Sequence, residues 1–417
     1  MISRRQFMGT LGATLVLPQL AMPQEAGARK KIAVVTTEWR DRSHAWHMAE
    51  RFLAGYPLKG QWHRPPIDVV SAYVDQKPKN DLSQQRAEAF GFKVYPTVVE
   101  ALRNGTDKMA VDGVLLIGEH GDYPNNELGQ KLYPRYELFQ KIVEVMKADG
   151  VKVPLFNDKH LSWKWEWAKA MVDTAKEQGI PFLAGSSLPV TWRMPAIDMP
   201  LGAEVEEIVS VISGPLEIYD FHGLEVVQCM AERRKGGESG VKSVQLLRGD
   251  SVWKAMDAGT LCAPKLFEAC LARSQTLEQE PGFSHRYPTV EQMHKWVKTP
   301  LAYKIEYRDG LKATLLNFAG LVGDFTFAAR IKGRDTPLST LFYLPPNPNV
   351  TYSAALMNRA EQMFLTGKAP YPVERTLLTS GILASGLKSL AEGQKVLETP
   401  HLDVVYQPTK ASMFERD

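Results

Sequence analysis

The sequence predicts an α/β domain with a doubly wound parallel sheet, followed by an α+β domain with an open, mainly antiparallel sheet. Two observations support this fold class. Residues 31–184 alternate short runs rich in Val, Ile and Leu with helical stretches, a pattern typical of parallel strands buried on both faces. After about residue 190 the apolar runs follow one another with turn residues between them, as expected for an antiparallel sheet.

Each element of the first domain follows from an apolar run or from helical spacing. Ser43 precedes the first helical stretch, where its hydroxyl can accept a hydrogen bond from a free backbone N–H. The predicted strands are residues 31–37, 67–74, 94–95, 111–117, 153–157 and 181–184. The predicted helices are residues 43–55, 82–90, 98–103, 133–149 and 163–178.

The second domain is predicted to begin with a strand and a helix and to continue as a series of strands. Asp309-Gly310 is typical of a hairpin turn between two of these strands. The predicted strands are residues 203–213, 243–247, 303–307, 312–317, 325–331 and 339–344. The predicted helices are residues 215–232, 357–366 and 372–392.

Composition narrows the class of protein. The chain has 417 residues, of which 44% are hydrophobic and 23% charged, values typical of globular domains. Its 50 Lys and Arg residues against 47 Asp and Glu residues give a formal charge of +3, which argues against nucleic acid as a partner. The odd number of cysteines favours small core residues, with a bond between Cys262 and Cys270 as the alternative.

The N-terminus has the pattern of a twin-arginine signal peptide. Arg4 and Arg5 precede an apolar run over residues 9–22, which is too short to span a bilayer as a helix. Small residues at 26–28 provide a cleavage site, and no later segment is long and apolar enough to cross a membrane. We therefore expect an exported, periplasmic protein with a signal peptide at 1–28, a first domain at 29–190 and a second domain at 191–417.

Several segments together resemble the Gfo/Idh/MocA family of glucose-fructose oxidoreductase and inositol dehydrogenase relatives. Residues 153–162 (VPLFNDKHLS), with the helix and strand after them, are similar to the strand, E-K-P motif and helix of this family. Further similarity lies in residues 90–95 (FGFKVY), in His222-x-x-Glu225 and in the C-terminal helices. The resemblance implies a Rossmann-like nucleotide-binding domain, NAD or NADP as cofactor, a carbohydrate or cyclitol substrate, and pairing of subunits through the sheet of the second domain.

The loop after the first strand departs from this family. A dinucleotide fingerprint places glycines there because only glycine permits the tight turn and the close approach to pyrophosphate. Residues 35–45 (VTTEWRDRSHA) contain no glycine. The N-terminus of the next helix and an arginine could still bind phosphate, and an acidic residue after the second strand could bind ribose; the alternative is a solvated loop. The candidate cofactor-binding residues are Thr36, Arg40, Arg42, Ser43, Asp75 and Glu119.

Candidate catalytic residues fall at the ends of the later parallel strands, where ligands bind in open α/β sheets, or at the adjoining face of the second domain. By the resemblance, Lys159 matches the lysine of E-K-P, and His222 matches a histidine that acts as acid or base. Position 218, where the family has an acidic partner for this histidine, is Ile, so Asp220 is the candidate substitute. His120 completes the candidate catalytic set, and the candidate substrate-binding residues are Asp122, Asp158, His160 and Asp220. Each also has a structural interpretation, as an ion-pair partner, a core histidine or a loop residue.

Two other patterns, a pair of histidines and a group of tryptophans, give weaker evidence of a binding site. The spacing of His44-x-x-His47 could hold a metal on one helix face, although no further ligand lies nearby in the sequence. Trp163, Trp165 and Trp167 are interpreted as core and interface residues rather than as a platform for sugar.

Three functions remain open at this stage. The first is an exported oxidoreductase in which Lys159 and His222 handle the hydroxyl proton of a sugar or cyclitol. The second is a hydrolase or lyase that has lost the dinucleotide and uses a divalent metal, which a concentration of His and carboxylate residues would suit. The third is a carbohydrate-binding protein without catalysis.

Overall fold

A computed structural model describes residues 28–345 and 350–416. The predicted twin-arginine signal peptide therefore lies outside the described residues, except for Ala28. Among the described residues, no helix combines the length and the apolar character needed to cross a membrane.

The first part of the chain forms a six-stranded parallel sheet with the strand order β5-β4-β1-β6-β7-β8. The order reverses between β1 and β6, which places a crevice at the carboxyl ends of the strands. Its elements are β1 (Lys30–Thr36), α1 (His44–Ala54), β2 (Tyr56–Leu58), β3 (Gln61–His63), β4 (Ile67–Val74), α2 (Ser83–Phe90), β5 (Lys93–Tyr95), α3 (Val98–Arg103), β6 (Gly113–Ile117), α4 (Arg135–Asp149), β7 (Leu155–Asp158), α5 (Trp165–Gln178) and β8 (Phe182–Gly185).

The rest of the chain forms an eight-stranded sheet in the order β17-β12-β13-β14-β10-β15-β16-β9. In the described residues its pairings are antiparallel except for β10 with β14. The elements of this part of the chain are β9 (Trp192–Met194), β10 (Val205–Ile212), α6 (Ile218–Ala231), β11 (Glu238–Ser239), β12 (Val241–Arg248), α7 (Asp250–Asp257), α8 (Pro264–Arg273), α9 (Val290–Trp296), β13 (Leu301–Tyr307), β14 (Lys312–Asn317), β15 (Phe325–Ile331), β16 (Leu338–Tyr343), α10 (Tyr352–Thr366), α11 (Glu374–Ala391), β17 (Leu397–Glu398), a 3-10 turn (Pro400–Leu402) and β18 (Val405–Tyr406). Strands β11 and β18 pair with each other outside the eight-stranded sheet. Both parts of the predicted fold class are confirmed.

Helices cover both faces of the second sheet. Helices α6 and α11 pack on one face, where Tyr303, Leu315 and Phe327 are buried. Helices α7 to α9, which the sequence analysis did not predict, cover part of the other face through Trp253 and Phe267. The uncovered part of that face carries polar side chains, including Gln245, Lys304 and Glu306.

Helix α10 returns from the second sheet to the first. Its Leu356, Met363 and Phe364 share a core with Ile32 and Val34 of β1, and α1 packs beside it. The approach is close because Gly113 of β6 has no side chain: a Cβ there would lie 2.6 Å from the Phe364 ring. The domain boundary at residue 190 stays a prediction, and the fold joins chain segments from both sides of it in one core.

Three cysteines, Cys229, Cys262 and Cys270, are unbonded thiols, and the first and last of them are buried. The hairpin of β2 with β3, the edge strand β9 and the short strands near the C-terminus also lie outside the predicted elements.

Candidate active site

A cavity of about 330 Å³ lies at the carboxyl ends of the parallel strands. We call it the central cavity. Its walls come from α1, from the segments after β6, β7 and β8, and from α6 and β15 of the second part of the chain. Its lining includes His44, His120, Lys159, Ser186, Tyr219 and His222. The fold thus brings residues far apart in sequence to one place.

The last residue of β7, Asp158, and the next residue, Lys159, contribute neighbouring side chains to the site. The backbone of Lys159 has φ +60°, in the left-handed region, and its N–H donates to the carbonyl of Gly185 at 3.0 Å. At the preceding position, the Asp158 carboxylate contacts His44, while the Lys159 ammonium donates to Glu119 at 3.0 Å. A non-glycine residue with positive φ is uncommon and costs conformational energy, which is often found at functional sites.

Glu119 lies between two cations. Its carboxylate accepts from the Arg135 guanidinium and from Lys159, and all three side chains are buried. Burial alone would raise the pKa of Glu119, but the Lys159 and Arg135 charges outweigh it and hold that pKa well below its usual range. The cluster therefore carries a net positive charge next to the cavity.

His222 is connected to a buried acid through a serine. Its Nδ1 lies 2.8 Å from Oγ of Ser186, and the same hydroxyl contacts Glu225, which also accepts from the Ser186 N–H at 3.0 Å. Burial, reinforced by the Lys159 charge, holds the pKa of His222 well below its usual value, so the imidazole is neutral. Burial raises the pKa of Glu225 to about 7.

Asp220, the candidate partner of His222, has other contacts. It accepts hydrogen bonds from Tyr303 at 3.0 Å and from Asn317 at 2.7 Å, and it is fully buried. Ile218 lines the central cavity. In this structure the acid linked to His222 is therefore Glu225.

Histidines form a second polar group at the cavity. Nδ1 of His44 lies 2.5 Å from Oδ2 of Asp158, and the His44 ring makes edge contacts with the rings of His47 and His120. His120 also has a left-handed backbone, with φ +72°. His160 points elsewhere, toward Arg135 at 3.1 Å and Glu217 at 3.4 Å.

The loop after β1 contains no glycine, although one of its residues has a left-handed backbone. Trp39 is fully buried and stacks on Phe92 at 5.6 Å between ring centroids. Ser43 caps α1 by accepting from the N–H of Trp46 at 3.3 Å, as the sequence predicts. Arg42, with φ +59°, is exposed at the cavity.

Other candidate residues surround this loop. Thr36 is buried and donates to the carbonyl of Ile117 at 3.0 Å, and Arg40 pairs with Glu38 at 2.8 Å. Asp75 follows β4 and accepts from the hydroxyls of Tyr73 and Tyr123, each at 2.6 Å. Asp122 is held by its backbone against Gln76 and does not line the central cavity.

Buried polar atoms without a hydrogen-bond partner in the described chain lie beside the cavity. They include Nδ1 of His47, Nε2 of His120 and Oδ1 of Asp158. Buried polar groups in native proteins are almost always paired with protein, water or ligand, so these atoms can accept or donate to a water or a ligand at this site. Residues 28–345 and 350–416 contain no group of three or more His, Cys, Asp or Glu residues arranged to hold a metal ion.

Sequence reasoning missed several lining residues. Ser186 and Ser187 follow β8, so the rule that ligands bind beyond the carboxyl ends of strands could have found them. Tyr219, Phe325 and Tyr352 reach the cavity through packing between distant segments, for which the sequence carries no local signal.

The Rossmann-like parallel sheet and the mainly antiparallel second sheet match the two-domain fold of the Gfo/Idh/MocA dehydrogenases. No family model and no curated protein matches the sequence. The similarity is seen among solved structures. GenD2 from gentamicin A biosynthesis, solved in complex with NAD, is 13% identical with a TM-score of 0.56, over 89% of this chain and 96% of GenD2.

Two inositol dehydrogenases are also similar. The myo-inositol dehydrogenase from Lactobacillus casei, solved with NAD(H) and myo-inositol, is 12% identical with a TM-score of 0.54, over 91% of this chain and 98% of that enzyme. The myo-inositol dehydrogenase from Corynebacterium glutamicum is 13% identical with a TM-score of 0.51, over 88% and 98%. At these identities the likeness establishes the fold.

Proposed function

We propose that the chain is an NAD(P)-dependent oxidoreductase that acts on a hydroxyl group of a sugar, glycoside or cyclitol. One observation carries the proposal. The Lys159 ammonium and the neutral His222 imidazole, from different parts of the fold, line one cavity at the carboxyl ends of a Rossmann-like sheet. The NAD-bound dehydrogenases of the same fold support it.

The residues around the loop after β1 fit a dinucleotide without a glycine fingerprint. Arg42 is an exposed cation beside the N-terminus of α1, where the helix dipole also favours an anion, so these groups would hold the phosphates. Asp75 at the end of β4 would accept from a ribose hydroxyl. The unpaired buried atoms beside the cavity are further polar groups for a ligand.

Oxidation of an alcohol separates a hydride from carbon and a proton from oxygen. A bound nicotinamide supplies the hydride acceptor. The Lys159 ammonium would stabilise negative charge that develops on the substrate oxygen. When Glu225 is ionised, the Ser186 hydroxyl donates to it and accepts from Nδ1–H of His222, which leaves Nε2 of His222 as the acceptor for the hydroxyl proton.

The cavity lining suits a polyol. Tyr219, Phe325 and Tyr352 provide apolar ring surfaces, while His120, Lys159 and Ser187 provide polar groups. A sugar or cyclitol ring has the same two kinds of surface, C–H faces and hydroxyl edges. A volume of about 330 Å³ has room for one such ring.

The proposal is tested by extraction and by turnover. The mature chain is purified from the cytoplasm and denatured, and the supernatant is assayed for NAD(H), NADP(H) and metals. We expect bound nucleotide, or binding of added NAD or NADP by calorimetry, together with reduction of one of them by a panel of cyclitols, hexoses and glycosides. A chain that holds and binds neither nucleotide contradicts the proposal.

Export by the twin-arginine pathway to the periplasm is proposed on the sequence pattern of residues 1–28. Replacing Arg4 and Arg5 with Lys in the full chain is expected to retain the protein in the cytoplasm, as measured by cell fractionation. Periplasmic recovery of this variant would contradict the proposal. We also propose a homo-oligomer through the uncovered polar part of the second sheet, to be measured by light scattering.

A further inference from the structure

The central cavity contains a histidine that the proposed reaction does not use. His44 is the first residue of α1, and it lines the cavity together with His222 of α6. The His44 side chain is 16% exposed, whereas the Asp158 side chain bonded to it is fully buried. An imidazole held on one nitrogen by a buried carboxylate, with its other nitrogen toward a ligand cavity, is the arrangement that general acid–base catalysis needs.

We propose that His44, oriented by Asp158, is an acid/base residue that exchanges a proton with the bound substrate through Nε2. The 2.5 Å contact uses Nδ1, and Nε2 has no hydrogen-bond partner within the described residues. The inference rests on the proposed oxidoreductase function for its substrate class, a polyol. The inference gives to Nε2 of His44 the proton that the proposed function gives to His222: the O–H bond of the polyol breaks, its proton passes to Nε2 of His44, and the C–H bonding pair leaves as hydride to the nicotinamide.

The backbone at Lys159 makes the pair possible. Asp158 is the last residue of β7, and the left-handed conformation of Lys159 turns the chain directly after it. The two neighbouring side chains therefore serve different partners, His44 and Glu119. His44 is held in place at the helix start, because Ser43 caps α1 and is itself buried.

The pair titrates as a unit. Burial, with the Lys159 charge next, lowers the pKa of His44 to about 3, and burial, with Glu119 next, raises the pKa of Asp158 to about 7. Above pH 7 the Asp158 carboxylate accepts from Nδ1–H, so Nε2 is a base. Below pH 7 the protonated Asp158 donates to Nδ1, and Nε2 carries a proton and acts as an acid.

The surroundings of the pair are charged and titratable on every side. The groups that face it are His47 from α1, Glu119 and His120 after β6, Arg135 from α4, Lys159 after β7, His222 and Glu225 from α6, and Tyr352 from α10. The Lys159 and Arg135 charges disfavour a protonated imidazole, and Glu119 favours it. Removal of the Asp158 carboxylate is therefore the selective way to abolish the step near pH 7.

The first test is made on the free protein and does not depend on turnover. Nitrogen NMR of the histidine-labelled mature chain, assigned with His44→Gln, is recorded from pH 5.5 to 8.5. We expect His44 to change from the Nε2–H form to the Nδ1–H form near pH 7, and Asp158→Asn to abolish this change. A His44 that stays in the Nε2–H form up to pH 8.5, or that shows the same tautomers in Asp158→Asn as in the wild type, would overturn the inference.

The second test is chemical rescue. His44→Gly is expected to lower the rate of polyol oxidation by about 10²-fold or more, and added imidazole is expected to restore at least part of it. His63→Gly is the matched control, because His63 also pairs with a carboxylate, Glu361 at 2.8 Å, but lies outside the central cavity. We expect no loss and no imidazole effect in that variant.

The outcomes separate the two proposals. Turnover that stays intact in His44→Gly overturns the inference and leaves the oxidoreductase function standing. A wild-type chain that binds no nucleotide and oxidises no polyol contradicts the proposed function, and the NMR titration then decides whether Asp158 orients His44.

Discussion

Lys159 combines a strained backbone with a buried charge. Its φ of +60° costs of order 1 kcal/mol for a side chain with a Cβ, and its ammonium is held by Glu119 in a region with little water. Glycine would adopt this backbone conformation without the steric cost of a Cβ atom. The presence of a lysine there is consistent with a chemical role for its ammonium group.

Replacing Lys159 with Met tests that role. We expect kcat for polyol oxidation to fall by about 10²-fold to 10⁴-fold, because no cation then stabilises the substrate oxygen, while nucleotide affinity changes little. Steady-state kinetics and calorimetric titration of the nucleotide measure the two effects. Lys164→Met, at an exposed neighbouring position, is the control and should behave as the wild type. Unchanged kcat in Lys159→Met would contradict the role.

The Glu225 carboxyl predicts a pH dependence of stability. Burial raises its pKa from the ordinary value of 4.5 to about 7, so between these values the folded chain binds a proton that the unfolded chain releases. This contribution to stability is complete below pH 4.5 and is lost as the pH rises through 7.

The variant Glu225→Gln has no carboxyl group to bind this proton. Its amide can still accept from Ser186 N–H and donate to the Ser186 hydroxyl. We expect the free energy of unfolding of the wild type, relative to this variant, to fall by about 3 kcal/mol between pH 4.5 and pH 8. Urea unfolding at several pH values measures it. Parallel curves for the two proteins would show that Glu225 keeps an ordinary pKa.

At the residue scale, the sequence predicted polar positions better than it predicted their partners. Lys159 and His120 follow parallel strands and line one cavity, as expected where ligands bind beyond the carboxyl ends of the strands. His222 joins them from α6. The contact of His222 with Ser186 could not be predicted, because Ser186 lies 36 positions away, in the segment after β8, and meets it only in the folded chain. The site assignments themselves stay predictions until variants are measured.

At the scale of elements, apolar patterning predicted the long strands well. Strand β4 has the predicted bounds, and β6 and β7 differ from prediction by one or two residues at their ends. Helices α7 to α9 were missed, since each is short and buries only a few apolar residues on the outer face of the sheet. Short helices of this kind are determined by tertiary packing rather than by local pattern.

Helix α11 depends on a glycine for its close approach to β13. A Cβ on Gly386 would lie 2.2 Å from the Tyr303 ring, and that ring is held by its hydrogen bond to Asp220. We expect Gly386→Ala to destabilise the fold by about 1–3 kcal/mol, although alanine is the better helix former by about 1 kcal/mol. Urea unfolding measures the change. Lys388→Ala, exposed on the same helix, should stay within about 0.5 kcal/mol, and a more stable Gly386→Ala would contradict the packing argument.

At the scale of the whole molecule, segments late in the chain pack against the first, parallel sheet and its helices. Helix α10 completes the core of the parallel sheet, and the C-terminal segment packs back through Glu415, which pairs with Arg359 of α10. The backbone N–H of Glu415 also donates to the carbonyl of Val190 at 3.0 Å. The two sheets therefore share their stability.

A fragment of residues 28–190 tests this dependence. Without α10 the fragment exposes apolar residues of β1 and α1, so we expect it to be insoluble or unfolded alone. Co-expression with residues 191–416 is expected to recover soluble protein. Circular dichroism and proton NMR of the isolated fragment measure its folding, and a well-dispersed spectrum would contradict the expectation and favour an independent first domain.

Trp39, in the loop after β1, limits which substitutions this loop can accept. One of the largest fully buried side chains of the described residues stands in the loop where the dinucleotide fingerprint requires glycine. Removing an aromatic ring from a core costs about 3–5 kcal/mol, while an entire domain is stable by only about 5–15 kcal/mol. Glycine at position 39 would therefore remove a large share of the folding free energy, so this loop can accept one there only together with changes in the core around Phe92.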